Sequence, residues 1–344
     1  MTNYFYASLA RISDLSRKPF DCQLLPREAW ASGDYVVAEA APAVSRGCRR
    51  QLELESGRMI EVFSGDRFIG ALGRRAATLE GAGDWEHTGE DMLFHAMTSA
   101  GLMGKMSSTS PLIAHPMPAY YRGHVMRKGE RVIMADFVPE AKPRALEVPV
   151  VMLVGTSMSA GKTTTGRIVV HELKQRGLRV AAAKLTGAGR YRDIQSFGDA
   201  GADHILDFVD AGLPSTVCPP EKFRVALQNL ISRIAALDVD VLVAEAGASP
   251  LEPYNGDIAC EAVFNKVRCM ILSASDPYAV VGVCQAFKMQ PDLVTGPAAN
   301  TSSGAALVKK LTGITAINPT DRRERPVLER LLEEKLGLLR VENA

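Results

Sequence analysis

A chain of 344 residues, 47 % hydrophobic and 23 % charged, is long enough to bury two separate cores. Its formal net charge of +1, with no basic tail, acidic run or low-complexity tract, excludes a polyanion such as nucleic acid as the main partner. The opening MTNYFYASLARISDLSRKPF lacks a basic segment followed by a long apolar one, and no apolar run reaches bilayer length, so the expected location is cytoplasmic with no membrane partner.

The first elements are β-rich. DYVVAEA, RQLELES, RMIEVFSGDRFIGALG and HVMRKGERVIMADFV alternate apolar and polar residues around turns such as Ser64-Gly65-Asp66. They predict a small barrel or sandwich with one helix near Glu90 to Ala100. Arg74 and Arg75 read as an anion contact or a solvated edge. TSAGLMGKMSSTSP, with Gly101, Gly104 and Lys105, reads as a flexible connector or a mobile binding loop. FVPEAKPRALEVPV spaces three prolines among charges like a linker, which sets a boundary near residue 146 and domains of 1–146 and 147–344.

Beyond the boundary, strands and helices alternate. VVMLV precedes a helix to Arg176, then come LRVAAAKL, a helix from about Ile194 into Asp207, and the helix of KFRVALQNLISRIAAL. DVLVAEAG, RCMILSA, a helix from about Tyr278, DLVTGPA, the helix SGAALVKKLTG and the strand ITAIN follow. This is the pattern of a mainly parallel sheet covered on both faces, preceded by the smaller β-rich domain. RPVLERLLEEKLG adds a last helix, with Pro326 suited to its first turn and Val327, Leu328, Leu331 and Leu332 on one face.

The segment VMLVGTSMSAGKTTTGRIVV, Val151 to Val170, carries the chemistry. Gly155 stands one place too early for the common phosphate-loop spacing. With Thr156 as first residue the loop reads T-SMSA-GKT. Such a loop turns backbone N–H groups toward phosphates and hands them to a helix N-terminus. Thr156, Ser157, Met158, Ser159, Ala160, Gly161, Lys162, Thr163 and Thr164 form the expected nucleotide cradle. Lys162 would neutralise the outer phosphates and the Thr163 hydroxyl would bind Mg²⁺. A Gly/Ser-rich strand-to-helix turn that happens to hold a lysine is the plain alternative. A strand before the loop and a helix after it favour the nucleotide. In VLVAEAGASPLEPYNGD an apolar strand ends in Glu245, the usual place for a second, water-mediated hold on Mg²⁺.

GTSMSAGKTT resembles the GTDTxVGKT loop of dethiobiotin synthetase, and its surroundings resemble the MobB-type molybdopterin-guanine dinucleotide biosynthesis proteins. They also resemble a P-loop family that includes D-glutamate N-acyltransferases. The likeness covers about Val150 to Pro319, and VAEAGA is similar to VEGAG of dethiobiotin synthetase with Ala246 interposed before Gly247. The resemblance implies a P-loop NTPase fold. It puts Lys184 and Thr186, at the end of AAAKLT, beside the reacting phosphate or substrate, and Asp193 near the metal. It puts Asn300, Asn318 and Pro319 after late strands, where adenine is held. The plain readings are an exposed cation for Lys184 and turn or cap roles for the asparagines. Arg190 and Arg192 read as a bidentate anion clamp or as a solvated pair. Ser249 and Asn255 are weaker substrate candidates.

Six dispersed histidines and six cysteines without CxxC spacing, Cys22, Cys48, Cys218, Cys260, Cys269 and Cys284, point away from a zinc site and toward reduced, mostly buried thiols. No guanine-type NKxD element stands where it should, so ATP with Mg²⁺ is the expected pair. The leading expectation is an enzyme activating a small-molecule carboxylate or similar group by phosphoryl transfer, ligase-type, acyl-transferring or kinase-like, in a homodimer or higher homo-oligomer. The alternative is an NTP-hydrolysing switch or chaperone for cofactor maturation.

Overall fold

In the computed structural model, residues 4–42 and 47–338 are described, and the chain divides into two compact units. The first comprises Met1–Ala141, Gly187–Asp193 and Asp207–Leu230; the second comprises Lys142–Thr186, Ile194–Leu206 and Ile231–Ala344.

The first unit holds the strands β1 Tyr4–Tyr6, β2 Asp21–Gln23, β3 Tyr35–Ala40, β4 Gln51–Glu53, β5 Met59–Glu61 and β6 Arg67–Leu72. They continue with β7 Arg74–Ala77, β8 Gly81–Asp84, β9 Leu93–Ala96, β10 Leu102–Thr109, β11 Met117–Arg127 and β12 Glu130–Arg131. The main sheet runs β1-β6-β3-β11-β9-β10-β8-β7, and a parallel β6–β10 pairing closes β6, β3, β11, β9 and β10 into a small barrel. Alternate side chains of these strands fill the interior: Val36, Ala38, Phe68, Phe94, Met103, Met117 and Tyr121 belong to one buried cluster.

Two expectations fail here. The helix expected near Glu90 to Ala100 is the strand β9, because ladders from β11 and β10 take its backbone groups and leave Phe94 and Ala96 facing the core. The expected loop of Thr98–Pro111 is mostly β10, also held on both sides. Arg74 and Arg75 are paired with acids, Arg74 with Glu86 at 2.6 Å and Arg75 with Glu80.

The second unit is built on the strands β13 Val150–Gly155, β14 Val180–Thr186, β15 His204–Asp207, β16 Val241–Ala246, β17 Val267–Ser273 and β18 Leu293–Thr295, in the order β15-β14-β16-β13-β17-β18. The pairings from β14 through β18 are parallel. Every residue of β13, β14 and β16 is buried, as strands covered on both faces require. The helices are α1 Lys162–Gln175, α2 Tyr191–Asp199, α3 Pro220–Ile234, α4 Gly256–Val263, α5 Pro277–Phe287, α6 Ser302–Thr312 and α7 Arg325–Leu336. Two of them, α2 and α3, begin in segments of the first unit.

The helix expected to run into Asp207 stops at Asp199. Gly201, at φ 102°, turns the chain into β15. The expected strand ITAIN contributes a single bridge, Val294 to Ala316. In α7, Leu328 and Leu332 are buried while Val327 is 39 % exposed, so the apolar stripe is narrower than its sequence implies. Among the described residues, no helix is long and apolar enough to cross a membrane.

Candidate functional site

The site is assembled at the C-terminal ends of adjacent strands. In register, Leu153 of β13 pairs with Glu245 of β16, Gly155 with Ser273 of β17, and Lys184 of β14 with Glu245. Between β13 and α1 the loop Thr156–Gly161 turns on Gly161, whose φ of 99° puts it at the N-cap. No side chain caps that end and no acid sits in its first turn, so the N-terminal amides and the helix dipole are available to an anion.

Lys162 is 1 % exposed, and its Nζ donates to the Ser157 carbonyl at 2.5 Å. A Cβ added to Gly155 would stand 2.7 Å from that Nζ and 2.8 Å from Cδ, so the lysine lies back across the glycine. The glycine that looked misplaced closes the strand and makes room for the lysine stem. Gly247 does the same for Lys184, which is buried: a Cβ there would meet Lys184 Cε at 2.8 Å and the Thr186 carbonyl oxygen at 2.1 Å. Thr163 Oγ1 donates to Glu245 Oε2 at 3.0 Å, and Glu245 is 2 % exposed. The Gly247 amide donates to Thr186 Oγ1 at 3.1 Å, which fixes the chain just beyond Glu245.

A layer of hydroxyls holds this arrangement in place. Thr165 and Thr295 are 3.0 Å apart, and Ser273 lies 2.9 Å from Thr295. Thr156 Oγ1 accepts from the Ser275 amide at 3.0 Å, and the Thr156 amide donates to the Ser273 carbonyl. Gly296, at φ 83°, brings the chain after β18 against the Ala160 carbonyl. None of Thr165, Ser273, Ser275, Thr295 and Gly296 stands out in the sequence. The only signal is that Thr295-Gly296 ends an apolar run, and neither residue belongs to the motif.

The remaining candidates divide. Thr164 and Ser159 are exposed, and Ala160 is buried. Asp193 belongs to the first unit, as do Arg190, 3.7 Å from it, and Arg192, which is exposed. Ser249 Oγ accepts from the Leu251 amide in a turn, and Asn255, at φ 58°, precedes α4. Asn300 is exposed at the end of a short 3₁₀ turn after β18. Asn318 Oδ1 accepts from the Thr320 amide and hydroxyl, so its side chain is taken up in a turn before the buried Pro319.

Among the described residues no disulfide joins the cysteines. Cys269 is buried, Cys22 is exposed on β2, and the others lie between, so the expected general burial holds only for Cys269. Burial pushes Cys260 and Cys269 up to about 12, which makes them poor nucleophiles.

A family model described as "Domain of unknown function (DUF1611_C) P-loop domain" matches residues 138–190, the stretch that carries β13, the loop, α1 and β14. No curated protein matches the chain. Similar solved structures include a DUF1611 family protein from Anabaena variabilis, at 14 % identity over 62 % of this chain and 66 % of that one, with a TM-score of 0.36. Chloroplast FtsY from Physcomitrella patens is 15 % identical over 53 % and 62 %, with a TM-score of 0.36. The 54 kDa signal recognition particle protein from Aeropyrum pernix, in complex with GDP, is 20 % identical over 60 % and 54 %, with a TM-score of 0.33. The chain spans less than two thirds of each of these three. It contains a P-loop domain of the NTPase type, preceded in the chain by a β-rich region.

Proposed function

We propose that this protein binds ATP with Mg²⁺ and activates a small-molecule carboxylate or similar group by phosphoryl transfer, as a ligase-type or acyl-transferring enzyme. One observation carries the reading. Two buried lysines, Lys162 and Lys184, each laid across a glycine, lie on either side of the strand whose end places Glu245 against Thr163. Ionisable groups taken out of water are costly unless compensated, and a cluster of them at strand ends is where α/β sheets bind ligands.

The donor set fits the pair. Hydroxyl and carboxylate oxygens suit Mg²⁺ carried in on phosphate, and the uncapped amides of α1 suit the phosphate itself. Mg-ATP supplies the transferable phosphoryl group. In this reading Lys162 neutralises the outer phosphates, Thr163 and Glu245 hold the metal, and Lys184 receives the anionic oxygen of the acceptor. Thr186 fixes the Gly247 turn beside it. Phosphoryl transfer asks for little beyond this positioning and charge compensation. Asn300, Asn318 and Pro319 near the base complete the proposal.

Purified protein incubated with Mg-ATP and a pool of small metabolites should release ADP only when the right metabolite is present. If no metabolite raises turnover and a protein fraction does, the switch reading replaces the enzyme one. Lys162→Ala should weaken ATP binding roughly 100-fold, as loss of a principal phosphate cation does. Unchanged affinity in calorimetry would refute the loop assignment.

A further inference from the structure

The first unit carries a polar cleft that the nucleotide reading does not use. Its volume is about 500 Å³, within the roughly 300–1,000 Å³ of small-molecule sites, and Arg11, Arg17, Glu55, Tyr191 and Asp210 line it. One wall is fixed. Arg11, its side chain 8 % exposed, is held by Asp207 at 2.7 Å and by Asp210 at 3.1 Å and lies over the Tyr191 ring. The opposite charges elsewhere in the cleft are not matched in this way. The Glu55 amide donates to the Tyr6 carbonyl, which sets Glu55 beside β1, and the Arg17 amide closes a turn on the Asp14 carbonyl. The Arg17 guanidinium donates to the Ser13 carbonyl at 3.2 Å, and among the described residues neither it nor the half-buried Glu55 carboxylate has an ion-pair partner. Burial, against smaller opposing effects of Ser16 and Arg17, raises the Glu55 carboxyl above its ordinary value. A carboxylate drawn out of water without a cation beside it is a cost, and a cation bound in the cleft removes it.

We propose that this cleft binds a free α-amino acid, its carboxylate on Arg17 and its ammonium group on Glu55. A zwitterion satisfies both charges at once. A dicarboxylate leaves one end against Glu55 and a diamine leaves one end against Arg17, and like charges in a partly desolvated site repel. The guanidinium suits a carboxylate because its donors match the two oxygens, and bonds between charged groups are stronger than those between neutral ones. The cleft is built from the first unit's residues alone, so the proposal goes beyond the nucleotide reading and does not depend on it.

The test uses the full-length chain and calorimetry. The probes are the common protein amino acids, followed by the N-acetyl and carboxamide derivatives of the tightest binder, each of which deletes one charge. At least one amino acid should bind, and both of its derivatives should bind roughly tenfold more weakly or worse. Arg17→Met should weaken the amino acid by a similar factor and leave the carboxamide unchanged. Glu55→Gln should likewise weaken the amino acid and leave the N-acetyl derivative unchanged, so that each variant is blind to the charge it has lost its partner for. Melting followed by circular dichroism checks that both variants are folded; Arg17 is exposed, so its variant decides alone if Glu55→Gln melts lower. Mg-ATP affinity should be the same in both variants as in wild type. Failure of every amino acid to bind the wild type overturns the proposal, and so does a bound amino acid whose affinity neither substitution changes. A protein that binds an amino acid in this way and no nucleotide keeps this proposal and loses the other.

Discussion

Gly155 and Gly247 are small because something must cross them. A methyl group at Gly155 would collide with Lys162 Nζ, Cδ and Cγ, the end of a flexible side chain rather than backbone. The chain can yield cheaply, by moving the lysine away from the phosphate site. Gly155→Ala should therefore unfold within about 1 kcal/mol of wild type yet bind Mg-ATP roughly tenfold more weakly, because the misplaced ammonium loses its point-charge contact. Equal affinity in a titration would show that the lysine does not need the glycine. His95 makes a second case at this scale. Its Nδ1 accepts from the Met106 amide at 3.2 Å, and burial, then Lys105 and His115, lower its pKa to about 4. Between pH 6.5 and 4 the unfolded chain binds the proton that the folded one refuses. Stability, complete above 6.5, therefore falls as pH drops through that window. His95→Gln keeps an acceptor and cannot protonate, so its urea midpoint should decline less between pH 7 and 4.5 than that of wild type. Parallel declines would contradict the assignment.

At the scale of elements, the cradle is a joint product of the ends of β13, β14, β16, β17 and β18. The chain after β18 reaches the loop only because Gly296 takes φ 83°, with its Cα so close that a Cβ would stand 2.3 Å from the Ala160 carbonyl oxygen and 3.0 Å from that of Ala274. Both obstacles are backbone. Gly296→Ala should cost roughly 2–4 kcal/mol through strain and displacement of the loop, read as a lower urea midpoint, and a midpoint equal to wild type would contradict it. The run DLVTGPA was legible as a strand, but this close approach was not. The same limit explains β9. Its residues carry both a helical and an alternating pattern, and the ladders from β10 and β11 settle which one prevails. The strand β15 was missed because a short helix, a glycine turn and a short strand read together as one long helix.

At the scale of the molecule, neither unit is a continuous stretch of chain. Gly187–Asp193 and Asp207–Leu230 belong with the N-terminal barrel. Within that unit, Glu53, with no exposed surface, accepts from the amides of Tyr191 at 2.7 Å and Arg192 at 2.9 Å and from the Ser8 hydroxyl. Arg11 pairs with Asp207 at 2.7 Å and with Asp210 at 3.1 Å, and lies over the Tyr191 ring. A cut at residue 146 therefore separates the first unit from two of its own segments and leaves several donors and acidic groups unpaired. A 147–344 fragment expressed alone should lack the cooperative thermal transition of the full chain and bind a hydrophobic dye. A fragment that melts cooperatively at the full chain's temperature would overturn this.

The sequence alone determined what near neighbours decide: a strand, a tight loop and a helix from Val150 to Gln175, with Lys162 and Thr163 at the helix start, because strand runs, small loop residues and helix dipoles act over a few residues. The alternation of strands and helices after residue 147 was legible on the same ground, and so was an acid at the end of β16. Tertiary structure decided which strand ends meet. That Glu245 stands against a threonine 82 residues earlier follows from β16 lying beside β13, a choice made by burying whole faces of a sheet. The three glycines that make room for two lysines and a neighbouring loop owe their meaning to atoms far away in the chain. So do Arg17 and Glu55, which share one cleft only when the turn and the hairpin that carry them are in place.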